Sequence, residues 1–264
     1  MRPAVLNPLF ADVTALQGVG PRLAALVSRA AGPRVVDVLL TLPLSLIDRS
    51  ARPKVADAPY GAIATVEVTV DRHDPPRVKR LPYKIICSDE TGFLTLVFFH
   101  AKPDYLVRML PEGQKRIVSG RIEEYEGSRQ MTHPDHIVDP KDVNALPLIE
   151  PVYPLTTGLT PGVMRKAAAL AVRRAPQLAE WQDAAWLKKQ RWPSWLAAIQ
   201  SAHAPKSAAD LAPTSPARMR LAYDELLANQ LALLLIRRAR LKSAGRALAG
   251  DGRTRARIRE ALPF

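Results

Sequence analysis

Hydrophobic and polar positions follow two different periods along this chain. Between Gly61 and about Asp139 they alternate, with apolar residues on every second position, the signature of strands with one buried face. The strand-like runs are Gly61–Arg72, Val78–Ser88, Phe93–His100, Lys115–Glu124 and Gln130–Val138, separated by turn sequences such as Asp74-Pro75-Pro76, Asp89-Glu90-Thr91-Gly92, Pro111-Glu112-Gly113 and Glu126-Gly127-Ser128. On either side, residues 8–50 and the chain from about Thr160 onward repeat at three and four, as helices do. Thr160-Pro161 starts a helix that should run to about Arg174, before Pro176. Another should run from Trp192-Pro193 to about Ala202. Ser215, with Pro216 at the first helical position, opens the longest, whose stripe of Tyr223, Leu227, Leu231, Leu234 and Leu235 reads as a packing face.

These periods predict an α+β chain in three parts: an N-terminal helical segment (1–58), a β domain (59–145) and a C-terminal helical connector (146–264). Five strands, with room for a short helix in Ala101–Leu110 between the third and fourth, match the layout of a five-stranded OB-fold barrel. In the third strand Leu94, Leu96 and Phe98 share one face and should line the barrel. Phe99 then falls on the other face, beside His100 and Lys102, with Tyr105 close behind as a second ring. An outward ring among basic groups suits stacking on a nucleobase. The residues alone leave open that Phe99 packs beneath the 101–110 segment or against a neighbouring domain.

The N-terminal segment contains LQGVGPRLAALVSRA, residues 16–30. Gly18-Val19-Gly20, then Pro21 and the apolar positions Ala24, Leu26 and Val27, form the pattern of a helix-hairpin-helix. Its glycines would let the backbone approach a phosphate, and Arg22 and Arg29 are better placed for phosphate than for a core. The same pattern also fits a helical packing unit that touches no nucleic acid.

Charge strengthens the nucleic-acid reading. Lys and Arg number 38 against 25 Asp and Glu, a net charge of +13, which points to a polyanionic partner before a membrane, although a general Arg/Ala/Pro bias would also raise it. Nine basic residues, from Arg237, Arg238, Arg240, Lys242 and Arg246 to Arg253, Arg255, Arg257 and Arg259, crowd the C-terminal end, where a charge run is usually a solvated face. The single cysteine, Cys87, excludes an internal disulfide and fits a core position. No signal-like apolar stretch opens the chain, and the richest apolar run, Leu226–Ile236, is interrupted by Asn229 and Gln230 and is too short for a bilayer. A soluble, cytoplasmic protein is expected. There is no G-x-x-x-x-G-K-[ST] loop and no G-x-S-x-G motif, so no sequence motif assigns catalysis or a cofactor to this chain. His133 and His136 in HPDH have tempting spacing but no further ligands nearby in sequence for zinc, and the Glu123, Glu124, Glu126 cluster reads as a turn.

Taken in order, LQGVGPRLAALV, VVDVLLTLPLSLIDRS, LTLVFFH, GRIEEYEGSRQMTHPD, PVYPLTTGLTPGVMRK, WPSWLAAIQSAH and RMRLAYDELLANQLALLLIRR resemble the N-terminal region of the RecG family, over nearly the whole chain. The resemblance implies a wedge domain that splits branched DNA, followed in the family by two motor domains that use ATP and Mg. Those motor domains are not contained in these 264 residues. It implies branched DNA as partner, with Phe99 and Tyr105 capping parting base pairs and Arg121 and Arg129 contacting phosphate. It also implies that the helices after Thr160 pack intramolecularly against the motor domains, so their apolar stripe would be uncovered here.

Overall fold

The computed structural model describes residues 3–78, 80–100, 102–241 and 250–263. It forms two compact units, Met1–Met219 and Arg220–Phe264.

The first unit opens with 3₁₀ turns at Ala4–Leu9 and Val13–Ala15, then α1 (Pro21–Ala30) and α2 (Val35–Leu40). Pro21 sits at the first position of α1 after an extended Gly20, and Gly18 takes φ +82°, so the glycine turn forms as its sequence predicts. Its leading arm differs from the helix-hairpin-helix expectation. Asp12 caps only the 3₁₀ turn Val13–Ala15, and among the described residues no α-helix precedes the glycine turn.

The β domain is a seven-stranded barrel-like sheet. Its strands are β2 (Ile63–Asp74), β3 (Tyr83–Ser88), β4 (Phe93–Phe98), β5 (Lys115–Arg121), β6 (Glu123–Tyr125), β7 (Ser128–Thr132) and β8 (His136–Val138), with α3 (Pro103–Met109) between β4 and β5. β2 pairs antiparallel with both β3 and β5, β3 with β4, and β4 runs parallel to β7. β6 pairs antiparallel with β7 and β8 with β5, so the order is β6-β7-β4-β3-β2-β5-β8, and β6 and β8 form the two ends of the sheet. Thus five strand-like runs become seven strands, because the last two are each interrupted. Ile122 turns inward and exchanges backbone hydrogen bonds with residues 61–62, which separates β5 from β6. His133, with φ +47°, separates β7 from β8. The long β2 bends through a bulge between Val70 and Arg72.

Inward residues follow the alternation: Val66, Val68 and Val70 on β2; Ile85 and Cys87 on β3; Leu94, Leu96 and Phe98 on β4. Leu106 and Leu110 of the α3 segment plug one end. Burial pushes the Cys87 thiol up to about 12, as befits a core residue. Gly120 is fixed by close approach, since a Cβ there would meet the Met131 Sδ at 2.8 Å and the Pro134 backbone at 3.2 Å.

Two further strands lay outside the sequence expectation. Ser45–Asp48 (β1), within the stretch expected to be helical, pairs antiparallel with Ile149–Val152 (β9). Segments read as separate parts therefore meet about a hundred residues apart in sequence. Arg49, 1% exposed, follows β1 and binds Glu150 Oε2 at 2.6 and 3.1 Å, the Ser119 hydroxyl at 2.8 Å and Asp135 at 3.1 Å. Glu150 also pairs with Arg165 (2.9 Å) and His136 (3.1 Å). Burial alone would raise the Glu150 pKa; hydrogen bonds from Arg49 and His136, with the Arg165 charge, outweigh it and hold the carboxyl below its usual value. This ion cluster fastens the barrel to β1, β9 and the helix that follows.

That helix, α4 (Pro161–Arg173), is capped by the Thr160 hydroxyl as its sequence predicts. An unanticipated short helix, α5 (Ala184–Gln190), starts at the Asp183 cap. α6 (Trp195–His203) begins at Ser194, two residues beyond the expected Trp192 start, and α7 (Ala208–Leu211) follows. In α6, His203 is buried between the Tyr153 hydroxyl (2.9 Å) and the Leu39 carbonyl (2.8 Å).

α8 (Pro216–Leu241) begins at the predicted position and runs into the second unit. There Arg220 pairs with Asp224 at 2.9 Å. Most of the stripe expected to pack is exposed: Leu231, Leu234 and, at 67%, Leu235, with Leu226 and Ile236 beside them. α9 (Arg253–Ala261) carries Arg253, Arg255, Arg257 and Arg259 toward solvent. Lys242 and Arg246 of the predicted basic run lie outside the described residues. No helix among the described residues is long and apolar enough to cross a membrane.

Candidate nucleic-acid interface

β4 settles the orientation of its two phenylalanines. Phe98 is 7% exposed and packs in the barrel core, whereas Phe99, one residue past the strand, is 46% exposed on the outside. The strand stops because His100 adopts a left-handed conformation (φ +56°). Phe99 is nevertheless held. Its backbone N–H donates to His133 Nε2 at 3.1 Å, while the His133 N–H donates to the Val97 carbonyl at 2.9 Å. The His133 ring contacts both phenylalanines, edge-on to Phe98 (6.0 Å) and tilted against Phe99 (5.9 Å). The HPDH stretch is thus a two-sided staple. His133 grips the Phe99 backbone, while Asp135 and His136 reach the Arg49–Glu150 cluster. The two histidines do not converge on a common point.

Beside Phe99 lies a groove of about 490 Å³. Its lining includes Phe99 and Val97, Tyr125, and Asp74, Arg77 and Leu81 from the end of β2 onward. Lys84 from β3 enters from below, its Nζ 5.8 Å from the Tyr125 ring centre. Gln130 and Thr132 bind the Glu123 carboxylate at 3.3 and 2.7 Å, so that acid is occupied by its neighbours. Two exposed rings, the cations Lys84 and Arg77, the Asp74 carboxylate and the hydrogen-bonding side chains Gln130 and Thr132 therefore line one groove. It lies on β3 and β4, the loop after β2, and the β6–β7 pair, and so overlaps the second- and third-strand face and first loop on which OB barrels hold oligonucleotides.

His100 and Lys102, predicted beside Phe99, are both exposed. Tyr105 is also exposed, on the first turn of α3, but it does not line the groove. Arg121 and Arg129 have work within the chain. Arg121 donates to the Gly61 carbonyl (2.6 Å); Arg129 donates to those of Ala58 (3.3 Å) and Ala56 (2.7 Å) and stacks 4.7 Å from the Tyr60 ring. Arg129 lies in register with Leu94, five residues from Phe99, or roughly 16 Å along the strand. The structure thus separates Arg129 from the outward ring. Gly18, Gly20 and Arg22 lie on the helical side of the unit, where Gly18 faces Lys166 of α4. Tyr125, Lys84 and His133 were missed as site residues. The Tyr125 ring following two glutamates was the one local signal; the others depend on pairing across strands.

Fold and face together define an OB-fold module flanked by helices, of the kind that presents aromatic residues beside a groove. The family model described as the RecG wedge domain matches residues 12–173, and the chain belongs to that family. Among its relatives, the ATP-dependent DNA helicase RecG of Acidithiobacillus ferridurans is 28% identical over 258 residues, covering 97% of this chain and 37% of that protein. The protein of the same name from Escherichia coli K12 is 27% identical over 259 residues, covering 96% and 37%. A solved structure of RecG bound to a three-way DNA junction superposes with a TM-score of 0.68 at 25% identity, covering 97% of this chain and 35% of that one. The chain spans little more than a third of the length of these relatives.

Proposed function

We propose that this chain binds branched DNA as the strand-separating wedge of a RecG-type helicase, acting in replication-fork repair and recombination in the cytoplasm. The observation that carries the reading is Phe99: a half-exposed ring, pinned at the end of β4 by His133, at the mouth of a groove. A rigid outward ring replaces the stacking partner that a terminal base pair loses when strands part. His100 and Lys102 stand beside it for phosphate, Tyr105 offers a further ring, and the groove toward Tyr125 and Lys84 takes the released single strand. Arg121 and Arg129 extend phosphate contact along the barrel; Gly18, Gly20 and Arg22 do so on the helical side. Support comes from the RecG structure on a three-way junction, which superposes over nearly the whole chain. The ATP- and Mg-dependent motor belongs, in this reading, to the two thirds of the relatives that the chain does not span, and the exposed stripe of α8 packs against it.

The test is binding of the 264-residue chain to a three-way junction, a duplex and a single strand of matched length. Tighter binding to the junction than to either, weakened by Phe99→Ala, is the expected outcome. Equal affinity for junction and duplex refutes the wedge. A preference for the plain single strand makes the chain a general single-strand binder instead.

A further inference from the structure

The positive charge of this protein is not on its barrel. Residues 59–145 hold 12 Lys and Arg against 13 Asp and Glu, a net charge of −1 in a chain of +13. Two other stretches contain no acid at all: residues 13–36, with Arg22, Arg29 and Arg34, and residues 151–179, with Arg165, Lys166, Arg173 and Arg174. The fold lays these stretches side by side. Leu26 of α1 lies 3.8 Å from the Cβ position of Gly158, just ahead of α4. Lys166 Nζ stands 3.2 Å from the Cβ position of Gly18, and Arg174 hydrogen-bonds the Ala15 carbonyl.

Arg22 and Arg29 are seven residues apart on α1, and Lys166 and Arg173 seven apart on α4. Each pair therefore shares one helix face, about 10 Å apart along the axis. All four are exposed. The neighbouring cations are otherwise engaged: Arg165 with Glu150, Arg174 with Ala15, and Arg34 over the Phe10 ring. Asp12 stands at the edge, its carboxylate taken up by the Thr14 N–H and hydroxyl. No aromatic residue occurs in 13–36 or in 154–179.

Charge without rings separates two kinds of nucleic-acid surface. Single-strand sites pair a basic groove with aromatic plates for unstacked bases. Duplex bases are already stacked and paired, so a duplex offers such a surface its phosphates. We infer that Arg22, Arg29, Lys166 and Arg173 form a ridge that docks the sugar–phosphate backbone of a duplex DNA arm, separate from the aromatic face of the barrel. This inference rests on the reading of the chain as DNA-binding. It assigns to the ridge a salt-dependent, shape-independent share of the affinity, beside the phosphate contacts proposed on the barrel.

The experiment measures binding of the 264-residue chain to a blunt duplex, a three-way junction and anionic phospholipid vesicles across a salt series. In the R22Q/R29Q/K166Q/R173Q variant, the slope of log K against log salt for the duplex should flatten by roughly 3 to 4. The charge-preserving R22K/R29K/K166R/R173K variant should keep the wild-type slope, which separates lost charge from lost shape. Junction affinity should fall in parallel with duplex affinity, leaving their ratio unchanged. An unaltered duplex slope in the Gln variant overturns the ridge. So does vesicle binding that exceeds duplex binding and disappears in that variant, because the surface would then serve a membrane. Equal wild-type affinity for junction and duplex would defeat the wedge proposal while leaving the ridge standing.

Discussion

The barrel face and the α1–α4 ridge solve the same problem with opposite materials. The face presents Phe99 and Tyr125, on a domain whose charges nearly cancel. The ridge presents four exposed cations and no ring. A ring at a strand end must be held still, because stacking depends on plane and position; His133 does so through a backbone hydrogen bond and ring contact. A lysine or arginine facing phosphate needs only proximity and freedom from acids, which the two acid-free segments supply. The proposed phosphate and base contacts thus fall on different surfaces, and the net charge of +13 alone points to neither, since residues 180–264 hold 15 Lys and Arg against 7 Asp and Glu.

This contrast can be broken at the joint first. Glu150→Ala strands Arg49, 1% exposed, without its closest counter-charge and should cost about 3–5 kcal/mol of stability, read by denaturant melting. The same carboxyl sets an acid limit. Its pKa is held below the usual 4.5, so it contributes stability above that value, and this is lost as pH falls through the lower folded value. Phe98→Ala should cost about 3–5 kcal/mol of folding free energy by opening the barrel core. Phe99→Ala should leave the melt almost unchanged; an equal loss for both would show that Phe99 belongs to the core.

On the binding side, Phe99→Ala should weaken junction affinity by about 1–3 kcal/mol with no change in salt slope. His133→Ala removes the acceptor of the Phe99 N–H and the ring packed against Phe99 while leaving the Phe99 side chain in place, and should weaken junction affinity by about 1 kcal/mol. A loss at His133 larger than that at Phe99 would mean His133 meets DNA itself.

The smallest effect lies at His203. Burial holds its pKa below the usual 6.5, and the neutral ring both accepts from Tyr153 and donates to Leu39. The unfolded chain therefore takes up a proton first. Stability should be full above about pH 6.5 and decline as pH falls below it. Melting His203→Gln at pH 7.5 and 5.5 should show a smaller drop than the wild type shows; equal drops would place the acid sensitivity elsewhere.

Alternation in LTLVFFH, the Thr160-Pro161 start and the Gly18-Val19-Gly20 turn were each readable because each depends on neighbours a few residues away. β1 and β9 were not. Four residues of mixed polarity become a strand only by meeting a partner about a hundred residues distant. HPDH was noticed for a metal spacing its neighbours did not support, since its actual partners, Phe99, Arg49 and Glu150, come from other elements. Arg121 and Arg129 looked free in the sequence because carbonyls of 56–61 leave no mark there.

Residue order alone was enough for the inward set Leu94, Leu96 and Phe98, the helix starts at Pro161 and Pro216, and the excess of positive charge. Those follow from period, turn chemistry and composition, all local quantities. The bracing of Phe99 by His133, the groove that joins it to Tyr125 and Lys84, and the approach of Lys166 to Gly18 arise only in the folded chain. Side-chain hydrogen bonds and ion pairs act over about 3 Å in space, and folding selects which distant residues come that near.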